Sequence, residues 1–238
     1  MKKTLALVTA LGLISTSALV CATPKEDQER FQHYFETRFP KVPKNDFGNG
    51  VYAIDAVARE NWEAIEEFPP YDPGISNGET MWKTPFANGK TYKDCFPDGP
   101  GIGAKYPHWD KKRSMVVTLP LAIPADDPKA LAAYEKGKHI YFARRGQLNF
   151  SCASCHAGNS GNRLRTEILS PALGQTTHWP VYRSKWGDMG TLHRRFAGCF
   201  KQVRAKPYKA QGEEYRDLEY FLTYMNNGLP LNGPASRK

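Results

Sequence analysis

Residues 151–156 read Ser-Cys-Ala-Ser-Cys-His, and no other string constrains this chain as much. Cys152 and Cys155 stand three positions apart, so a single helical turn carries both thiols on one side. His156 follows at once and can direct its imidazole at whatever the thiols hold. This is the C-x-x-C-H pattern of c-type haem attachment, in which two thiols reach the two vinyl groups of one porphyrin and the histidine faces the iron. A zinc site would need a second ligand pair such as another C-x-x-C or an H-x-x-x-H, and the sequence contains neither. Cys152 and Cys155 are therefore expected to bind one haem covalently, with His156 as an axial ligand.

The N-terminus agrees with this chemistry. Lys2 and Lys3 precede an apolar run from Leu5 to Val20, and Val20-Cys21-Ala22 offers a cleavage point. Residues 1–22 read as a secretory signal peptide, which places the protein in the periplasm, where c-type haem is attached. The run is too short for a comfortable membrane span, so no integral segment is expected after cleavage. Cys21 leaves with the leader, and Cys95, Cys152, Cys155 and Cys199 remain. Four cysteines in an exported chain would ordinarily read as two disulfides, but the haem motif claims two of them. The net charge of +9 falls to +7 when Lys2 and Lys3 are removed. That balance does not point to nucleic acid, because the basic residues form neither a recognition helix nor an aromatic-interleaved patch.

Apolar periodicity outlines the fold. Asp127-Pro128 opens a helical stretch to about Arg145, with Leu131, Tyr134, Gly137 and Tyr141 at helical spacing. Glu213 to Asn227 reads as a second helix with Leu218, Phe221, Leu222 and Met225 on one stripe. Gly212 precedes it, and Gly228 and Pro230 follow as breakers. Gly137 would let these two helices cross closely. The 20 Gly and 18 Pro of the 238 residues predict much irregular chain between elements.

The second axial ligand is less determined. An electron-carrier cytochrome commonly uses Met, and Met189 lies 33 residues beyond His156. Spacing favours Met189, then Cys199, with His178 and His193 also in range. Cys199 follows Arg194 and Arg195 and precedes Lys201, and neighbouring cations lower a thiol pKa and favour the thiolate. Arginine also suits fork-like bonding of small oxyanions. Taken singly, each of these arginines reads more readily as solvated charge or a partner of a haem propionate than as an oxyanion-binding residue. Trp179 and Trp186 fit as walls of the haem pocket. With His156 and Met189 as ligands, the chain would be a plain electron-transfer cytochrome c whose basic surface steers it to an acidic partner.

Several longer strings carry a resemblance. They are Thr177-His178-Trp179-Pro180-Val181-Tyr182-Arg183, Leu192 through Cys199, Tyr215 through Met225, and Phe150 through Gly174 with the haem motif, continuing into Gln175; Asn77 through Lys90 joins them in the first half. Together they resemble the SoxA family, the catalytic subunits of the SoxAX cytochromes of bacterial sulfur oxidation. The resemblance implies a mainly α protein of two cytochrome c-like domains, residues 23–125 without haem and residues 126–238 binding one c-type haem. It implies an L-cysteine S-thiosulfotransferase, which oxidatively conjugates thiosulfate to a cysteine of the carrier protein SoxYZ and passes electrons to the cytochrome subunit SoxX. A further small subunit is compatible with it. It makes Cys199, carried as a cysteine persulfide, both the catalytic residue and the distal iron ligand, and Arg195 the substrate-binding residue.

The first half has no C-x-x-C-H. Tyr92-Lys93-Asp94-Cys95 stands where a haem motif would fall, after a helix-like segment beginning at Gly78 and Trp82. Some members of the family carry a disulfide here, but Leu119 to Ala125 contains no partner cysteine. Cys95 is therefore expected to be a free thiol.

Overall fold

The structure, a computed structural model, describes residues 22–96, 107–110, 115–118, 123 and 127–237. The expected leader, most of the Gly- and Pro-rich stretch 97–110 and most of the 119–125 segment lie outside the described residues. The helices are α1 (Pro24–Arg38), α2 (Ala56–Glu66), α3 (Asp72–Lys83), α4 (Tyr92–Cys95), α5 (Pro128–Phe142), α6 (Leu192–Gln202) and α7 (Glu213–Met225), with a 3-10 segment at Lys44–Ala53. Short strands join them: β1 (Pro107–Asp110), β2 (Met115–Thr118), β3 (Arg163–Leu164), β4 (Glu167–Ile168), β5 (Val181–Arg183), β6 (Asp188–Gly190) and β7 (Ala235–Arg237).

Local chemistry explains the helix starts. Thr23 caps α1 in a reciprocal box with Glu26, and Pro24 occupies the first turn, where its missing N–H costs nothing. Asp127 caps α5 by accepting from the N–H groups of Lys129 and Ala130, again with a proline next in line. Helix α5 stops at Phe142, short of the expected Arg145. Ala143 is extended, and Arg145 instead pairs antiparallel with Phe150. Helix α3 starts at Asp72, earlier than the expected Gly78, and its Trp82 stacks on Tyr92 and Phe96.

The core forms where α5 and α7 cross. Leu218, Phe221, Leu222 and Met225 are all buried, as the stripe on α7 requires. On α5, Tyr134, Gly137 and Tyr141 are buried, whereas Leu131 is 41% exposed and Ala130 and Ala133 take the inner positions. The crossing passes over Gly137, and only small residues leave room for the approach one and two turns earlier. Phe221 lies 5.5 Å from both the Tyr134 and the Tyr141 ring. Burying this aromatic cluster supplies the main stabilisation.

Residues 24–53 are packed on the same core. Phe35 and Phe47 are fully buried in it. Gln28 donates to the Tyr224 carbonyl, and Gln32 to those of Met225 and Asn227, so α1 is tied to the C-terminal end of α7. Gly174, at φ +86°, lets the chain pass against the Phe47 carbonyl, where a Cβ would clash. Strand β5 pairs antiparallel with β6 and parallel with β7.

Candidate functional site

The turn that carries the two thiols is fixed from both ends. Ser151 Oγ accepts from the Ser154 N–H at 3.0 Å while Ser154 Oγ accepts from the Ser151 N–H at 3.1 Å, a reciprocal cap just ahead of the Ser154–Gly158 π-helical turn. Helix α1 holds the other end. Tyr34 Oη donates to the Ala157 carbonyl at 3.1 Å, and the Arg38 guanidinium donates to the carbonyls of Gly158 and Ser160. Sequence reasoning missed Tyr34 and Arg38, because nothing local distinguishes them from surface residues more than a hundred positions upstream.

His156 is oriented by its far nitrogen. Its Nδ1 lies 3.0 Å from the Ser170 carbonyl oxygen. A carbonyl can only accept, so Nδ1 carries the proton and Nε2 keeps its lone pair for a metal. Gln175 also approaches Nδ1, at 2.7 Å. This places its amide oxygen within reach by a half-turn of the side chain.

Helix α6 brings the remaining residues in. Thr191 caps it, and Leu192, His193, Phe196 and Phe200 face the interior. Arg195 and Cys199 are four positions apart, which sets them on one face, one turn from each other. The Arg195 guanidinium lies over Gly198, where an added Cβ would stand 3.7 Å from it. Cys199 comes near enough to His156 for the imidazole to act on its thiol.

Burial pushes the Cys199 thiol up, but Arg195 first, then His156 and Arg183, outweigh it and bring the thiol down to about 7. Cys152 behaves oppositely, pushed up to about 12 chiefly by burial, and Cys155 is raised for the same reason. The low-pKa thiol is therefore the one beside the arginines. Arg183, at the end of β5, was not singled out from sequence. Burial and the neighbouring Arg195 lower it to about 10, while Cys199 favours its charge. Two guanidinium groups thus act electrostatically on one sulfur.

The other candidates lie elsewhere. The Met189 side chain meets α3 at Gly74, where a Cβ would come within 2.9 Å of Met189 Cγ. Arg194 turns outward, 4.5 Å over the Trp186 ring, and donates to the Met189 carbonyl. Buried His178 donates to the Gly48 carbonyl, and burial with Arg237 nearby keeps it neutral. His193 accepts from the Gln211 N–H and faces Glu219 at 2.9 Å, tying α6 to α7. Trp179 packs on the core and lies 6.5 Å from Trp186. Cys95 is unpaired and exposed.

The donor set fits a c-type haem. Two unpaired thiols stand on one turn, one imidazole has its Nδ1 turned to the Ser170 carbonyl, and the Cys199 thiol lies near that imidazole. Among the described residues, no helix is long and apolar enough to cross a membrane.

Comparison with known proteins gives a consistent result. The chain is 58% identical to the L-cysteine S-thiosulfotransferase subunit SoxA of Allochromatium vinosum, over 98% of this chain and 96% of the relative. It is 47% identical to the protein of the same name from Chlorobaculum tepidum, over 89% and 87%. Among solved structures, SoxXA from P. pantotrophus matches with a TM-score of 0.65 and 26% identity, over 75% of this chain and 84% of that one. No family model matches. The likeness assigns the mainly α, cytochrome c-like fold.

Proposed function

Since the chain belongs to the SoxA family of L-cysteine S-thiosulfotransferase subunits, we propose that it initiates thiosulfate oxidation in the periplasm by conjugating thiosulfate to a cysteine of the carrier SoxYZ. Cys152 and Cys155, within residues 126–238, would hold one haem covalently, and His156 and Cys199 would ligate its iron, while residues 23–125 would form a haem-free cytochrome c-like domain. SoxX is the partner cytochrome.

The observation that carries this reading is Arg195 one turn from Cys199 on α6, over Gly198, with the charges of Arg195 and Arg183 both favouring the thiolate of Cys199. A plain electron carrier has no need of a reactive sulfur acted on by two cations. Thiosulfate is a dianion, and Arg195 and Arg183 neutralise and orient it by charge-assisted hydrogen bonds. Its terminal sulfur then bonds the outer sulfur of Cys199, carried as a persulfide, with loss of two electrons to the cytochrome partner. The carrier thiolate attacks the thiosulfate-derived sulfur next, forms the new S–S bond and releases Cys199. In sum, a thiol and thiosulfate become an S-thiosulfonate, one proton and two electrons. The haem supplies one-electron acceptance when bound. Ser170 holds the His156 proton at Nδ1 throughout.

The test is a pair of measurements on the haem-loaded protein. Low-temperature EPR of the ferric form is expected to show histidine/thiolate rather than histidine/thioether ligation. Cys199→Met is expected to keep the haem and lose conjugation of SoxYZ. Full conjugation by Cys199→Met would overturn the reading.

A further inference from the structure

Strand β7 is buried along its whole length, although it includes an arginine. It pairs parallel with β5 and sets Arg237 opposite Arg183 in register. The Ser184 N–H donates to the Arg237 carbonyl at 2.9 Å, so the pairing continues one residue past the two arginines. In a parallel pair, partners in register point to the same face, and their strands run about 4.8 Å apart. Arg237 is thus the cross-strand neighbour of a residue that acts on Cys199.

What fastens β7 comes from the first half of the chain. Glu66, at the end of α2, accepts from the Ser236 N–H at 2.9 Å and from the Trp62 indole N–H at 2.7 Å through one oxygen, and its other oxygen accepts from Tyr71. The Arg237 guanidinium lies 4.9 Å from the centre of the Tyr52 ring and 5.9 Å from that of Trp62, and these two rings stack 5.1 Å apart. Aromatic faces attract a cation. Arg237 Nη1 donates to the carbonyl of adjacent Ser236, and Nη2 is buried without a hydrogen-bond partner. A charge buried in this way lowers stability, and an apolar side chain would fasten the strand with less penalty.

What the guanidinium adds lies on the side of Arg183. Tyr52 acts electrostatically on Arg183 as well as on Arg237. Arg237 occupies the Tyr52 ring, and its like charge repels the Arg183 guanidinium from that side. Arg183 lies instead 5.4 Å over the Trp186 ring, with Cys199 favouring its charge.

We propose that Arg237 is a positioning residue for Arg183: held on the Tyr52–Trp62 stack, it fixes β7 against β5 and directs the Arg183 guanidinium toward Cys199. The assignment rests on the proposed function for what Arg183 does to thiosulfate, and adds what holds Arg183 in place. Tyr52, Trp62 and Glu66 all belong to the half expected to lack haem. That half therefore takes part in the reaction by supporting β7, without touching the anion itself.

The test is a double-mutant cycle on the full haem-loaded chain, read by kinetics and by NMR. Arg237→Ala is expected to lower kcat/KM for thiosulfate by about three- to tenfold, mainly through KM, with the visible spectrum unchanged. In an Arg183→Ala background the same substitution should change kcat/KM no further, because Arg237 acts through Arg183. Arg237→Lys, which keeps the charge but not the planar stack, should recover part of the loss. Trp62→Leu should lower kcat/KM in the same direction, again only while Arg183 is present. These two variants keep the test decisive if Arg237→Ala folds poorly. In isotope-labelled ferrous protein, the Nε–H resonance of Arg183, identified by its absence in Arg183→Ala, should move in Arg237→Ala and in Trp62→Leu, while that of outward-turned Arg194 stays in place. Wild-type kcat/KM in the Arg237 variants, an unmoved Arg183 resonance, or a loss of equal size with and without Arg183 would each overturn the proposal. Failure of the wild type to conjugate SoxYZ would instead count against the proposed function, and the Arg183 resonance would still decide whether Arg237 positions it.

Discussion

Gly137 on α5 faces the main chain of α7 so closely that a Cβ added to it would stand 2.0 Å from the Asp217 carbonyl oxygen. The neighbouring atom is backbone, so neither helix can yield without moving the aromatic cluster around Tyr134, Tyr141 and Phe221. Gly137→Ala is therefore expected to destabilise the fold despite the better helix propensity of alanine. The cost should reach the upper end of the overpacking range, about 3 kcal/mol, or a fall in Tm of roughly 6–12 °C. Thermal unfolding by circular dichroism checks this, and a Tm within about two degrees of wild type would refute the crossing geometry.

Asp217 itself is buried at this crossing. Burial first, then the charge of Glu213, raises its carboxyl from the ordinary 3.8 to about 7 against the pull of Lys136 and Arg216. A folded-state pKa above the unfolded value means that the stabilising contribution is complete below about pH 4 and is lost as pH rises through about 7. Asp217→Asn should raise Tm at pH 8 and change little at pH 4. The gain at pH 8 is at most about 4 kcal/mol. Equal Tm differences at both pH values would show that the carboxyl is ionised in the fold.

Arg195 and Arg183 both act on Cys199, and substitution separates their work from haem binding. Removing one charge-assisted hydrogen bond to an anion costs about 1.5–3 kcal/mol, so Arg195→Ala should lower kcat/KM for thiosulfate by about ten- to a hundredfold. Arg183→Ala should lower it in the same direction. The haem spectrum should persist in both. A normal kcat/KM with an altered spectrum would make Arg195 a propionate partner instead.

Cysteine accounting gives a direct check. With Cys152 and Cys155 bound to haem and Cys199 at the iron, the exposed thiol of Cys95 is left over. The exported protein should have the mass of the chain from Thr23 plus one haem. Native protein should react with one equivalent of a thiol reagent at Cys95, and Cys95→Ser should abolish that reaction without loss of haem. A mass for two haems would contradict a haem-free first half.

Much of this was legible in the chain itself, for reasons of range. The C-x-x-C-H turn, the buried stripe of α7 and the one-turn spacing of Arg195 and Cys199 are set by the helical repeat within a few residues. The proline-assisted start of α5 is likewise a local matter of an unneeded N–H. Spacing could not choose between Met189 and Cys199, since each lies far enough from His156 to reach its opposite face. Their surroundings depend on long-range packing, which turns Met189 toward Gly74 of α3 and sets Cys199 against His156. Packing also decided that Leu131 stays outside while Ala130 goes in, because the inward face of α5 is chosen by where α7 can approach. It was packing again that brought Tyr34 and Arg38 onto the haem-motif turn and Arg183 beside Cys199. A sequence pattern records which side of a helix or strand is apolar, but contacts between distant segments arise only when their buried faces are fitted together.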